Sequence, residues 1–75
     1  MNKNRRQQLR NWINRIDIIK SELESILSDE EMYFDSMPEN LQSSTNGMNS
    51  EEAINKMNEA IESIEEAVES VEEII

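Results

Sequence analysis

Apolar residues recur along this chain at alternating steps of three and four in two long stretches, separated by a polar break around Gly47. The first series runs Leu9, Trp12, Ile16, Ile19, Leu23, Ile26, then Glu30, Tyr33 and Met37. Steps of three and four hold side chains on one face of an α-helix, whereas a half-buried strand would alternate with a period of two. Ile13, Leu27 and Phe34 widen the face to one flank, and Ile18 departs from it. A face broader than a two-helix seam implies contact with more than one neighbouring helix. Only Glu30 interrupts the series. It reads either as a solvated gap near the helix end or as a polar residue that sets pairing specificity. The pattern predicts helix 1 over about residues 4–35, with Asn4 as a candidate cap and no glycine or proline inside the span.

The second series is Ile54, Met57, Ile61, Ile64, Val68, Val71 and Ile75. One residue before each seventh position lie Ala53, Ala60, Ala67 and Ile74. Those alanines fit either high helix propensity at half-buried sites or a close helix–helix approach. Helix 2 is expected over about residues 50–75, with Asn49 and Glu52 forming a capping box and Ser50 as the competing cap.

The connection, about residues 36–49, carries its own signals. Ser36 and Glu39 have capping-box spacing, and Pro38 sits where a missing N–H costs nothing. A short helical turn through Gln42 follows, with Met37 and Leu41 folding back over the open end of the molecule. Ser43 to Gly47 reads as a solvated loop. These elements predict an all-α fold, an antiparallel helical hairpin forming a single domain over residues 1–75. A reversal near residue 43 sets Trp12 about level with Ile74. The expected core is Trp12, Ile16, Ile19, Leu23 and Ile26 on helix 1 and Met57, Ile61, Ile64, Val68 and Val71 on helix 2.

Composition changes this picture in one respect. The apolar fraction is 36% and there is one Trp, one Tyr and one Phe, against an apolar share of roughly 45–50% in ordinary soluble domains. A lone hairpin with so little to bury is marginal once chain entropy is counted. Self-association is therefore expected, most simply a homodimer forming a four-helix bundle.

The charge is segregated as well as large. The net charge is −10, yet residues 1–20 hold Lys3, Arg5, Arg6, Arg10, Arg15 and Lys20 against Asp17 alone. Beyond residue 20 the only base is Lys56, against sixteen carboxylates. An antiparallel hairpin sets Arg5, Arg6, Arg10 and Arg15 beside Glu65, Glu69, Glu72 and Glu73, so pairs across the helices are expected. Exposed pairs contribute only ~0–1 kcal/mol each, enough to bias alignment rather than to supply stability. The excess negative charge remains at the loop end.

Residue types exclude most chemistry. With no Cys and no His, the chain has no disulfide, no thiolate metal site and no imidazole base. Ser28 and Asp29 are merely adjacent, and acid–base work by paired carboxylates needs a pocket that holds one of them protonated. The cluster Asp29, Glu30, Glu31 and Asp35 lacks calcium-loop spacing. Gly47, the single glycine, cannot form a phosphate-cradling loop. The expectation is a non-enzyme with no cofactor and no metal. A basic helix face at Lys3 to Arg15 could touch phosphates, but a net charge of −10 argues against direct nucleic-acid binding. No apolar run exceeds three residues, so no membrane span or signal segment is expected and a cytoplasmic location follows. The Arg-flanked apolar face of residues 5–27 could lie on a membrane surface, but core packing accounts for it better.

The stretch Tyr33-Phe34-Asp35-Ser36-Met37-Pro38-Glu39-Asn40-Leu41-Gln42, with the polar loop and Ala/Ile/Glu helix after it, resembles uncharacterised small acidic helical proteins of Gram-positive bacteria and their phages. The resemblance spans about residues 10–75, and its specific part is the Met-Pro-Glu-Asn-Leu-Gln turn. It implies a mobile-element origin and the binding of a host or phage protein, and it carries no activity. The functional expectation is a small non-catalytic adaptor or inhibitor that binds a protein, with Glu30, Tyr33, Phe34, Pro38 and Glu39 as the candidate contact. The alternative is an acidic mimic of DNA or another nucleic-acid-linked regulator.

Overall fold

A computed structural model describes residues Met1–Ile75. The helices are α1 (Lys3–Asp35), α2 (Glu39–Gln42) and α3 (Thr45–Glu72), and there are no strands. α1 and α3 pack against each other as an antiparallel hairpin, with α2 closing one end. Two cross-helix contacts set the register: Glu30 meets Ser50 and Lys20 meets Glu65. Carried along both helices, that register sets Trp12 opposite the stretch from Val68 to Glu73.

The helix ends show how local chemistry placed them. α1 begins at Lys3 because the Asn2 side-chain oxygen, not that of Asn4, accepts the Arg5 N–H at 2.8 Å. At its other end the Ser36 hydroxyl donates to the Tyr33 carbonyl at 2.9 Å. The Gln42 amide then reaches back to the Phe34 and Met37 carbonyls, each at 3.4 Å. Helix C-termini leave carbonyls without partners, and Gln42 meets part of that need from the next element. Ser36 is thus the end cap of α1 and not half of a capping box with Glu39; Pro38 opens α2 with no side-chain cap.

α3 starts at Thr45, earlier than the residue-50 start expected from Asn49. The Ser44 hydroxyl accepts the Gly47 N–H at 3.3 Å and donates to the Leu41 carbonyl. The connection therefore shrinks to residues 36–44. Gly47 is not in a loop. It is buried in the first turn of α3, where a Cβ would collide with the Gln42 carbonyl oxygen and lie 2.7 Å from that of Leu41. Only a glycine lets the start of α3 lie this close to α2. Replacing a helical glycine by alanine ordinarily stabilises by about 1 kcal/mol. Gly47→Ala should instead destabilise, by roughly 1–3 kcal/mol of overpacking strain, as read from a urea melt.

The inter-helix seam runs Leu9, Ile13, Ile16, Lys20, Leu23, Leu27, Glu30 and Phe34 on α1 and continues to Met37 just beyond it, each buried or half-buried. Facing it are Gly47, Ser50, Ile54, Met57, Ile61, Ile64, Val68 and Val71 on α3 and Ile75 beyond its end, likewise buried or half-buried. Leu27 and Ile61, each 8% exposed, are the buried hydrophobic pair. The expectation for α3 and the structure coincide in register. That for α1 needs correction, because Ile19 and Ile26, assigned to the core, are 50% and 58% exposed. Trp12, Ile16, Leu23, Met57, Ile64, Val68 and Val71 are half-buried. α1 carries two overlapping three-four series that share Leu9, Ile16, Leu23, Glu30 and Met37. One partner helix covers one series, and it takes the series through Ile13, Lys20, Leu27 and Phe34.

The result is long and thin, 58 × 16 × 12 Å with a radius of gyration of 17.2 Å. A compact domain of this length would have a radius near 11 Å. No helix is long and apolar enough to cross a membrane.

Candidate functional site: an open apolar side on the hairpin

In an antiparallel helix pair, the positions just before the seam on both helices fall on one side and those just after it on the other. The structure carries this out directly. Asp17, Glu65 and Glu72, all on the trailing flank, line one hollow together with Ile13, Lys20 and Val68. Tyr33 and Asn46, on the leading flank, line a separate cleft with Met37, Leu41 and Ser44. The two sides differ sharply in chemistry.

The polar side presents Arg10, Asp17, Glu24 and Glu31 from α1 and Glu51, Asn58, Glu65 and Glu72 from α3, all exposed. Its one cross-helix ion pair is Lys20–Glu65 at 3.9 Å; the other pair in the molecule, Lys56–Glu59, lies within α3. The expected pairing of Arg5, Arg6, Arg10 and Arg15 with Glu65, Glu69, Glu72 and Glu73 does not form. Arg6 donates to the Met1 carbonyl at 2.7 Å instead, and Arg5, Arg10 and Arg15 are exposed. On a surface this open, holding two long side chains together costs about as much entropy as the attraction returns.

The opposite side is apolar. Trp12, Ile19, Ile26 and Tyr33 recur every seven residues along α1, and Ala53, Ala60 and Ala67 do so along α3, with Ile74 continuing the row beyond its end. Ile19, Ile26, Tyr33 and Ile74 are each about half exposed or more, and Trp12 edges a hollow with Arg15, Ile16 and Ile19. All eight glutamates of α3, and Glu73 that caps its end, lie off this side and off the seam. The α3 residues bordering the alanine row are Asn49, Lys56, Ser63 and Ser70, none of them acidic. The carboxylates of α3 are thus confined to the opposite half of the helix.

Among the residues expected at a contact, Tyr33, Pro38 and Glu39 are exposed near the loop end. Glu30 and Phe34 are not displayed there. Phe34 is half-buried in the seam, and Glu30 accepts the hydroxyl hydrogen bond of Ser50, a polar contact near the loop end of an apolar interface. Glu30 is thus neither a solvated gap nor a binding residue; its partner fixes the register between the helices. Met37 and Leu41, expected to fold over the open end but not among the contact residues, make the loop-end cleft apolar with Tyr33; Leu41 is 48% exposed.

No hollow on the surface brings together a nucleophile, a base and an anion-stabilising group; the one between Asp17, Lys20, Glu65 and Glu72 holds carboxylates and a lysine in open water. No three acidic side chains converge in a way that would hold a metal ion. The comparison with known proteins adds no assignment: no family profile, curated protein or solved structure matches the chain.

Proposed function

We propose that this protein works without catalysis, as a cytoplasmic adaptor or inhibitor that acts by binding protein, and that its apolar side makes the contact. The observation that carries this reading is the segregation of the two sides. A monomeric helix pair has no physical need to keep every α3 carboxylate away from one half of its surface, whereas a docking surface excludes unpaired charge from its centre. Contiguous apolar area on an otherwise strongly charged molecule marks an interaction site. A phage or mobile-element setting, implied by the resemblance of the Met37–Gln42 turn, would suit a small binder of this kind. Tethered to a resin by its N-terminus, the protein should retain a small set of proteins from an extract of its source cells. The Ile26→Glu variant should lose them, and equal recovery on both resins would contradict the reading.

One observation favours a second reading, in which the acidic face imitates nucleic acid. Nine exposed glutamates run from Glu51 to Glu73, along α3 and onto its C-terminal cap, a span of ~33 Å at 1.5 Å per residue. The mean spacing is about 4.1 Å, not far from the 3.4 Å phosphate spacing of a single DNA strand. A true mimic would displace duplex DNA from a basic DNA-binding protein, and Glu62→Gln with Glu66→Gln and Glu69→Gln would weaken the displacement.

A further inference from the structure

We infer that the apolar side is covered by a second copy of this chain, laid face to face with the first and reversed, so that the two loop ends point in opposite directions. This deepens the protein-binding reading and rests on it, naming the partner of the same surface.

Three observations choose the occupant and its direction. The first is area. The hairpin exposes 5678 Å², whereas a compact protein of 8.8 kDa exposes about 4,800 Å². The surplus of roughly 900 Å² is close to the ~800 Å² that each partner buries in a standard stable interface. A second hairpin is also the simplest body with the right shape, since it offers a flat apolar strip as long as this one.

The second is charge. Residues 21–59, the loop half, hold ten carboxylates against Lys56 alone, while residues 1–20 and 60–75, the terminal half, hold six bases and seven carboxylates. Charges are screened beyond about 8 Å at physiological salt, so what matters is which half lies over which. Pairing with the loops at the same end stacks the two strongly negative halves. Reversal lays each over the nearly balanced half of the other copy, which on α1 is the basic stretch.

The third is the symmetry of the strip itself. Trp12, Ile19, Ile26 and Tyr33 are evenly spaced, so a two-fold axis between Ile19 and Ile26 places Trp12 over Tyr33 and Ile19 over Ile26 of the other copy. Such an isologous contact closes with two chains. Arg5, seven residues before Trp12, then comes level with Glu39 and Asn40, and Arg15 with the exposed Asp29. Trp12 of the second copy reaches the neighbourhood of the apolar cleft formed by Tyr33, Met37 and Leu41. The N-terminal arginines, unpaired within one hairpin, gain acidic neighbours in the assembly. On the other half of the strip, Ala60 comes over Ala60 of the other copy and Ala53 over Ala67, and these small side chains permit helix axes at the short end of the 8–10 Å range.

The test needs no change to the apolar strip. The chain lacks cysteine, so Ser43→Cys, at an exposed position between α2 and α3, accepts a single nitroxide label per copy. The Glu30–Ser50 contact sets Ser43 about level with Met37, ~22 Å along the helix from the two-fold axis at 1.5 Å per residue, so pulsed electron–electron dipolar spectroscopy at micromolar concentration should give an inter-label distance of about 45 Å. A distance under about 30 Å, a few helix diameters, would overturn the reversed arrangement. Absence of dipolar coupling together with a single-chain mass would overturn the second copy itself. In that event the protein-binding reading still stands or falls by the extract experiment, whose bait pair does not depend on the labels.

Discussion

Replacing Ile61 by aspartate should leave the chain largely unfolded at 25 °C, with the helical signal in circular dichroism collapsing and no cooperative melt remaining. Ile61 is 8% exposed and faces α1 at the middle of the seam. Truncating a buried isoleucine costs about 2–5 kcal/mol, and placing an unpaired carboxylate there adds desolvation of several kcal/mol more. A two-helix core has little stability from which to lose that amount. The matched control is Ile18→Asp. Ile18 is 63% exposed on the outward surface of α1, so its replacement should change stability by no more than about 0.5 kcal/mol. Similar melting of the two variants would show that the seam has been assigned to the wrong residues.

The second large effect belongs to the apolar side. Ile19→Glu combined with Ile26→Glu should dissociate the assembly, raising its dissociation constant at least a thousandfold. Full burial of an isoleucine side chain contributes about 1.5–3 kcal/mol, and a two-fold interface loses four of them at once. It also gains four carboxylates facing one another across the contact. Each hairpin should then retain whatever helicity α1 and α3 support alone, with a melting temperature that no longer depends on concentration. Ala60→Leu probes the same side from the α3 row: overpacking should weaken pairing while leaving the intra-hairpin seam untouched. Unaltered association in both variants would remove the apolar strip from the account.

Much of this architecture is legible in the sequence because period and helix direction are strong signals. The two three-four series define α1 and α3, and on α3 the single series through Ile54, Ile61 and Val68 leaves no ambiguity. α1 was harder because two apolar series share every seventh residue, and the one that faces α3 contains Lys20 and Glu30. Polarity thus disguised the true seam, while the exposed series looked cleaner. What distinguishes them is partner chemistry that cannot be seen locally: Ser50 for Glu30, and Glu65 for Lys20.

The start of α3 was misplaced for a related reason. Thr45-Asn46-Gly47 has the composition of a loop, and only its packing on α2, with Gly47 under the Gln42 carbonyl, makes it helical. The arginine–glutamate pairing read from charge polarity did not form, although the polarity itself is real. It makes physical sense as a match between copies rather than between helices of one copy. The two sides of the hairpin follow from the heptad once the seam is known, so the candidate surface was within reach of the sequence except for that one choice.

The most direct measurement is sedimentation equilibrium of the unmodified protein at about ten micromolar and physiological salt. The account gives a mass of twice 8.8 kDa, with a melting temperature that rises as protein concentration rises. A folded, cooperatively melting species of 8.8 kDa across that range would contradict it.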